Sequence, residues 1–227
     1  MPYLIVVAHP DDEVLGSGAT VRTLVADGEV VNVCILCERA ESRMYKCDAV
    51  ELENDIKLAQ EVLGVNRVYT GGFHDSNLNI CPHIEIVRFI EKCIIETGAD
   101  NIITHHPLDM NLDHQITSKY CQEAARLSHR RTIDVPPLRQ LLFMEVLSST
   151  DWSFGGNGQS FNPNLFVSVG EANIGKKIEA LSKYRGVMRE FPHPRCEEII
   201  KSLAAYRGGQ SGTKYAEAFQ IAFRNSV

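Results

Sequence analysis

The sequence predicts an α/β fold: a Rossmann-like three-layer sandwich in which helices cover both faces of a mostly parallel sheet. In the first 130 residues, short apolar runs typical of buried strands alternate with segments of helical periodicity. Three of the predicted helices are followed by a glycine that acts as a stop signal, at Gly28, Gly64 and Gly98. Repeated strand–helix units imply parallel strands joined by right-handed crossovers.

The individual elements follow from these patterns in chain order. Strands are predicted at residues 3–8, 30–36, 67–70 and 101–104, and helices at 14–26, 48–63, 83–96 and 114–127. The rest of the chain is less regular, with strands predicted at 141–147 and 165–169 and helices at 174–185 and 197–207. Residues 215–223 fit either a strand or a short helix, and 153–163 are rich in Gly, Asn and Pro, which is typical of a loop. We expect one domain over 1–227, with two acid-rich motifs in 1–130 and a C-terminal part, 131–227, that completes the pocket.

Size and charge exclude several classes of protein. With 227 residues, the chain is long enough for one sizeable α/β domain. The net charge of −6 argues against a nucleic-acid partner bound through a basic surface. No apolar run approaches the roughly 20 residues of a membrane span, and the N-terminus lacks the basic region of a secretory signal. We therefore expect a small-molecule substrate and no membrane partner.

The seven cysteines are scattered and odd in number, which suits free thiols in a reducing compartment. We accordingly expect a cytoplasmic protein. Cys34 and Cys37 form a CxxC, but residues three apart in a strand point to opposite faces, and no second CxxC completes a zinc ribbon. Buried free thiols are the expectation for this pair.

The segment after the first predicted strand is unusually acidic. His9, Asp11, Asp12 and Glu13 place an imidazole and three carboxylates within five residues, directly after the apolar run 4–7. Such a cluster is costly unless a positive charge offsets it, and a divalent metal is the simplest candidate. His9 and Asp12 suit Zn²⁺, which takes imidazole nitrogen and carboxylate oxygen in a tetrahedral site. Asp11 then stands where a general base for water at the metal is needed, and Glu13 is interpreted as a first-turn acid stabilised by the helix dipole.

A second cluster follows the predicted strand 101–104. It contains three imidazoles and two carboxylates: His105, His106, Asp109, Asp113 and His114. Because the carboxyl ends of parallel strands lie along one edge of an open sheet, we expect the two clusters to meet there. The third protein ligand is then one of the three histidines, and the residues alone do not choose among them.

The two clusters together resemble a known family. Residues 8–13, Ala-His-Pro-Asp-Asp-Glu, with Gly16 following, resemble the N-terminal signature of the PIG-L/LmbE-like zinc-dependent N-acetylglucosaminyl deacetylases. The second cluster resembles their downstream motif, which ends in Asp-His at 113–114, and residues 193–195 and 215–219 resemble a subset of the family. The resemblance implies an LmbE-like fold, a single Zn²⁺ cofactor and hydrolysis of an N-acetyl group from an amino sugar or a sugar conjugate.

Carried over by position, the resemblance assigns roles to four residues of the two clusters. His9, Asp12 and His114 are the implied zinc ligands, and Asp11 is the implied general base. For the mechanism we further expect Asp113 to orient a catalytic or ligand group.

The chain departs from a common form of the family at Asn111, where many members carry a histidine. An asparagine can donate a hydrogen bond to an oxyanion but cannot act as an acid. The general acid therefore stays open among three candidates: His193, His106 and a protonated Asp11.

Four further residues are candidates for substrate contact, each with an ordinary alternative. Arg43, in the predicted loop 37–47, suits a substrate hydroxyl or phosphate, or else solvent. His74 and Asp75 lie in a loop that can line the mouth of the pocket, where Asp75 alternatively caps a turn. Trp152 suits stacking on a sugar face, or packing.

Other interpretations compete with deacetylation of a simple amino sugar. One keeps the chemistry but uses a thiol-sugar conjugate or a glycosylated natural product, and another is a sugar-binding relative without catalysis. The spare carboxylate of Asp11 argues against a pure binding protein. A nucleotide-dependent Rossmann enzyme is disfavoured because Val21 stands where GxGxxG requires its third glycine. The sequence is compatible with a homo-oligomer and does not identify the sugar.

Overall fold

The computed structural model describes residues 1–38, 48–130, 135–154 and 160–225. Its strands are β1 (Pro2–Val7), β2 (Val30–Cys37), β3 (Arg67–Phe73), β4 (Asn101–His105), β5 (Gln140–Met144), β6 (Leu165–Ser168) and β7 (Ala216–Arg224). Its helices are α1 (Asp12–Ala26), α2 (Ala49–Leu63), α3 (His83–Thr97), α4 (Leu112–Ala124), α5 (Leu127–Arg130), α6 (Gly170–Lys183) and α7 (Glu197–Ser211), with a 3₁₀ turn at Leu78–Ile80. None of the helices in these ranges has both the length and the apolar character that a membrane crossing requires.

The strands form one mostly parallel sheet in the order β3-β2-β1-β4-β5-β7-β6. Strands β1 to β5 pair in parallel, and β7 runs antiparallel to both β5 and β6. Successive residues of β1 serve the two faces alternately. Ile5 and Val7 pack with α1, α2 and α6, whereas Leu4 and Val6 pack with α3 and α4. Helices therefore cover both faces, and the predicted three-layer α/β class is confirmed.

Several element boundaries differ from the predicted ones for local reasons. Helix α4 begins at Leu112, earlier than predicted, because the side chain of Asn111 caps it by accepting the backbone N–H of Asp113 at 2.8 Å. The predicted strand 141–147 stops at Met144. Residues 215–223, which the sequence left undecided, are largely strand β7, which pairs with β5 and β6.

The CxxC of β2 contains a local irregularity that the regular two-residue period of a strand does not predict. Cys34 and Cys37 are both buried free thiols. The expectation that they point to opposite faces is wrong, since both lie in the core that packs against α3 and α4. The register between β2 and β3 shifts between Ile35 and Cys37, as in a β-bulge. The shift changes the face of the sheet on which the side chain of Cys37 lies.

The order of the strands brings the two acid-rich clusters together. Strands β1 and β4 are neighbours in parallel register, with Val6 opposite Thr104. The chain leaves β1 toward β2 on one side and leaves β4 toward β5 on the other, so a crevice opens beyond their carboxyl ends. The backbone N–H of Ala8 donates to Nε2 of His105 at 2.9 Å and ties the two strand ends to each other.

Candidate metal and catalytic site

Three side chains from the two clusters meet beyond the carboxyl ends of β1 and β4. Nδ1 of His9 lies 3.2 Å from Oδ2 of Asp12 and 3.2 Å from Nε2 of His114. Nε2 of His114 lies 3.2 Å from the same oxygen of Asp12. Ligand atoms bonded at about 2.0–2.1 Å in a tetrahedral zinc site lie about 3.3–3.4 Å apart. The triangle therefore fits one metal ion, and a tetrahedral ion held by three protein atoms keeps a position for a further ligand.

Carboxylates stand behind both imidazoles of the triangle. Nε2 of His9, on the far side of the ring, lies 3.2 Å from oxygens of Asp75 and Asp113. Nδ1 of His114 lies 3.2 Å from Oδ1 of Asp109. Partners of this kind fix the orientation and tautomer of a histidine, so that the nitrogen facing the metal carries the lone pair.

The charge of the cluster favours a bound cation. Burial by itself lowers the pKa of both imidazoles, but the carboxylates around them outweigh burial. They raise the pKa of His9 well above its usual value and that of His114 to about 9. Burial likewise raises the pKa of Asp12, yet His114 and His9 hold it well below its ordinary value. A divalent cation supplies the positive charge that these buried carboxylates attract.

Of the three histidines left open as the third ligand, His114 is the one that the structure brings into the triangle. His105 stacks behind it with ring centroids 3.9 Å apart, and its Nε2 is occupied by the N–H of Ala8. Burial, together with the charge of His114, lowers the pKa of His105 to about 3, which keeps its ring neutral. His106 packs edge-on against two phenylalanine rings instead.

Two further groups of potential ligand atoms overlap the triangle in the described part of the chain: His9, Cys37 and Asp113, and His105, Asp109 and His114. In the first, Nε2 of His9 already lies 3.2 Å from carboxylate oxygens of Asp75 and Asp113, and burial raises the pKa of the Cys37 thiol to about 12. The second is excluded as a single site because the lone pair of His105 already accepts a backbone N–H.

Asp109, whose role no sequence pattern indicates, is firmly held within the site. Its Oδ2 accepts the hydroxyl of Thr150 at 2.6 Å, and its Oδ1 accepts the hydroxyl of Ser149 and the N–H of Asn111, the latter at 2.9 Å. Burial raises the pKa of Asp109, but contact with His114 outweighs it and lowers the pKa to about 2. The position of Asp109 inside the second cluster indicated that it lies near the site. Its contacts with the hydroxyls could not be predicted, because those partners lie about 40 residues away in the chain.

Asp11 lies in the turn before α1 with a backbone φ of 105°, a conformation that strains a residue other than glycine. Glu13 holds this turn. Its Oε2 accepts the backbone N–H of Asp11 at 3.0 Å, while its Oε1 accepts the hydroxyl of Tyr184 at 2.6 Å and the amide of Gln60 at 2.7 Å. Burial raises the pKa of Glu13 to about 7. The interpretation of Glu13 as only a first-turn acid is therefore wrong, because its carboxylate anchors the Asp11 turn from within the core.

A C-terminal segment brings further side chains to Asp11. Nη1 of Arg195 lies 3.4 Å from Oδ2 of Asp11, and Nε of Arg195 donates to the hydroxyl of Ser148 at 2.7 Å. The backbone N–H of Arg195 donates to Nδ1 of His193 at 3.1 Å. The ring of His193 packs edge-on against Trp152 at 5.7 Å, and Trp152 is 50% exposed. Two predicted site residues, His193 and Trp152, thus lie together beside Arg195, which the sequence analysis noted only within a family motif.

The other predicted residues have different surroundings. Asn111 is exposed, and its side-chain oxygen caps α4. Asp75, predicted at the mouth of the pocket, is buried and contacts His9. His74 is exposed. Arg43 lies outside the described residues.

The fold and the triangle of ligand atoms fit a metal-dependent hydrolase, and the family to which the chain belongs defines the class as an amide hydrolase. Residues 4–125, more than half of the chain, match the family described as PIG-L: GlcNAc-PI de-N-acetylase, and the chain belongs to this family. The resemblance seen in the sequence is confirmed, and with it the predicted enzyme class, a metal-dependent N-deacetylase.

Comparisons with individual proteins agree with the family. The chain is 23% identical over 228 residues to the diacetylchitobiose deacetylase of Thermococcus kodakarensis, a match that covers 96% of the chain and 82% of that protein. It is 30% identical over 112 residues to the "Probable N-acetyl-alpha-D-glucosaminyl L-malate deacetylase 2" of Bacillus cereus, covering 46% of the chain and 51% of that protein. Among solved structures, a conserved protein of Thermus thermophilus superposes with a TM-score of 0.79 at 25% identity, covering 99% of the chain and 96% of that protein.

Proposed function

We propose that this chain uses one Zn²⁺, held by His9, Asp12 and His114, to hydrolyse the N-acetyl group of an amino sugar or a sugar conjugate. The observation that carries the proposal is the triangle of ligand atoms with sides of 3.2 Å, with the carboxylate of Asp11 in the adjoining turn. Two imidazoles and one carboxylate are a ligand set of catalytic zinc sites. Zinc in such a site supplies Lewis acidity, which polarises a carbonyl group and lowers the pKa of a bound water to about 7.

The proposed general base is Asp11. Its carboxylate accepts a proton from the attacking water, whose oxygen adds to the acetyl carbon of the substrate. The amide oxygen then becomes negatively charged and needs a hydrogen-bond donor. Asn111 can donate its amide N–H to that oxygen while its side-chain oxygen stays on the cap of α4, and one such donor is worth about 3 kcal/mol in the barrier. The products are acetate and the free amine.

The ligand imidazoles are proposed to be oriented by the carboxylates behind them. Asp113 and Asp75 hold His9, and Asp113 is fixed in turn by the backbone N–H groups of Ser76 at 2.7 Å and Leu78 at 3.2 Å. This arrangement supports the orienting role expected for Asp113.

The proposed general acid is His193. Of the three candidates, His106 packs against two aromatic rings. His193 is half-buried, and its Nδ1 accepts the backbone N–H of Arg195, whose guanidinium contacts Asp11. Burial, with the charges of Arg195 and Arg189, lowers the pKa of His193, so its protonated form is a stronger acid. If His193→Gln keeps the wild-type kcat, His193 is not the general acid, and Asp11 passes the proton that it accepted to the leaving amine.

The substrate is proposed to carry an N-acetylated sugar with a variable attachment. The two relatives are named for different sugar compounds. The exposed ring of Trp152 suits stacking on a sugar face, and His74 and Arg43 remain proposed contacts at the mouth. A cavity of about 520 Å³, whose lining includes Asp109, Thr150 and Arg207, offers room for the attachment.

The protein is proposed to work in the cytoplasm. Within the described residues, six cysteines are free thiols, and five of these are buried. A reducing compartment keeps such thiols in this form.

The test is acetate release from a panel of N-acetylhexosamines, free, nucleotide-linked and conjugated. The protein is assayed at known zinc content, with and without a chelator, and after zinc is added back. We expect release that a chelator abolishes and zinc restores, from at least one member of the panel.

One control makes this result specific. The Asp11→Asn variant should bind zinc and release little acetate, which excludes a contaminating hydrolase. Protein that neither contains zinc nor gains activity when zinc is added would count against the proposal.

A further inference from the structure

Backbone strain in the described residues is concentrated at the site. The non-glycine residues with positive φ in these ranges are Asp11, Ser76 and Ser148. Asp11 is the proposed base, and Ser76 donates its backbone N–H to Asp113 at 2.7 Å. Strained positions of this kind persist only where the surrounding structure imposes them, and they concentrate at functional sites. The proposed reaction gives no role to Ser148, whose φ is 64°.

Ser148 is linked to the base through Arg195. The hydroxyl of Ser148 accepts Nε of Arg195 at 2.7 Å, and Nη1 of the same guanidinium lies 3.4 Å from Oδ2 of Asp11. The backbone of Arg195 is held as well, since its N–H donates to Nδ1 of His193 and its carbonyl accepts the N–H of Arg189. The side chain is 24% exposed, so the contact with Asp11 is partly shielded from solvent. Arg195 is thus fixed at its main chain and at Nε, and Nη1 of the same side chain contacts the carboxylate of Asp11.

We propose that Ser148 and Arg195 are positioning residues for Asp11. This inference rests on the proposed function only in taking Asp11 as the base. A guanidinium is planar, so a hydrogen bond at Nε also fixes the positions of its Nη atoms. The Nη1 contact then restricts the rotation of the Asp11 carboxylate. Glu13 holds the backbone of Asp11, so the base is held at its main chain and at its side chain. A reacting group displaced by about 1 Å can lose about 100-fold in rate, and the pair prevents such a displacement.

The first experiment separates positioning from substrate binding. The metal-loaded variants Arg195→Met, Arg195→Lys and Ser148→Ala are assayed for kcat, KM and zinc content on the substrate with the fastest acetate release. We expect Arg195→Met to lower kcat about 10- to 100-fold with KM and zinc content unchanged. Added guanidine should restore part of this loss. Arg195→Lys, which lacks Nε, and Ser148→Ala should show smaller losses in kcat.

The matched control is Arg67→Met. Arg67 forms an exposed ion pair with Glu96 at the start of β3, away from the site, and its loss should leave kcat unchanged. A rise in KM with an unchanged kcat in Arg195→Met would overturn the proposal, because it would make Arg195 a substrate contact.

The second experiment is a double-mutant cycle between Asp11→Asn and Arg195→Met. If Arg195 acts through Asp11, Arg195→Met lowers kcat little in the Asp11→Asn background. An equal fold-loss in both backgrounds would overturn the proposal. The same cycle is also measured by the midpoint of urea unfolding, which does not depend on activity. Because Asp11 and Arg195 are in contact, we expect the midpoint shifts of the two single variants not to add up to that of the double variant. Absence of acetate release by the wild type counts against the proposed function, whereas additive unfolding shifts count against the coupling of Arg195 to Asp11.

Discussion

Asp109 holds His114 from the side of the ring opposite to the metal triangle. Its Oδ1 lies 3.2 Å from Nδ1 of His114, whereas Nε2 of the same ring faces Asp12. The contact keeps the proton on Nδ1 and leaves the lone pair of Nε2 for a metal. Because the hydroxyls of Ser149 and Thr150 hold Asp109 in turn, the loop after β5 helps to set the tautomer of a proposed zinc ligand.

Replacing Asp109 with alanine is expected to weaken zinc binding about 10- to 100-fold, since His114 loses the partner that orients it. Competition against a chelator of known zinc affinity measures this change. Asp27→Ala, at an exposed position at the end of α1, is the control and should bind zinc as the wild type does. A folded Asp109→Ala variant with wild-type zinc affinity would show that His114 is oriented by other contacts.

The existence of β1 and β4 and the acid-rich motifs that follow them were predictable, because each depends on a few adjacent residues. The apolar run of β1 and the cluster after it lie within residues 2–13, and parallel pairing then places the two clusters at one edge. The family resemblance chose His114, and the structure shows why His105 cannot compete, since its lone pair accepts the N–H of Ala8.

The supports of the site were not predictable, because they join distant parts of the chain. Glu13 and Tyr184 are 171 residues apart, and Asp11 and Arg195 are 184 apart. Neither pair leaves a periodic signal in one sequence. A charged residue at a helix start has many ordinary explanations, and only packing shows that the carboxylate of Glu13 lies inside the core.

Asp11→Asn tests the base. An amide has nearly the same shape as the carboxylate but cannot accept the proton, so we expect kcat to fall about 10²- to 10⁴-fold while zinc content stays at the wild-type level. Elemental analysis and acetate release measure the two quantities in one preparation. A variant with wild-type kcat would assign the base elsewhere.

Zinc affinity is expected to rise with pH. Burial lowers the pKa of His9 and His114, but the carboxylates around them outweigh it and raise the pKa of His9 well above its usual value and that of His114 to about 9, so protons compete with a metal ion for both imidazoles. At lower pH the protons compete more strongly, so the Kd for zinc should decrease steadily from about pH 6 to about pH 8. Competition titrations at constant ionic strength measure this trend. A Kd that does not change over this interval would contradict the assignment of these imidazoles as ligands.

A buried ion pair contacts the backbone of α1, the helix whose start carries the site. Nζ of Lys177 donates to the carbonyl of Leu15 at 2.7 Å and pairs with Glu217 at 2.6 Å. Glu217 also accepts the backbone N–H groups of Ala19 at 3.2 Å and Thr20 at 2.6 Å. Both side chains are more than nine-tenths buried, so removal of one partner leaves the other buried without its ion pair.

Lys177→Met is therefore expected to lower the free energy of unfolding by about 3–5 kcal/mol, because it leaves the carboxylate of Glu217 buried without its partner. Urea unfolding measures the change. Lys176→Met, at the exposed neighbouring position, is the control and should stay within about 0.5 kcal/mol of the wild type. The double variant Lys177→Met with Glu217→Gln should be more stable than Lys177→Met alone, since no unpaired charge remains and the glutamine oxygen still accepts one of the two N–H groups of α1. A double variant as unstable as the single one would mean that packing of the lysine stem, rather than its charge, stabilises α1 beneath the site.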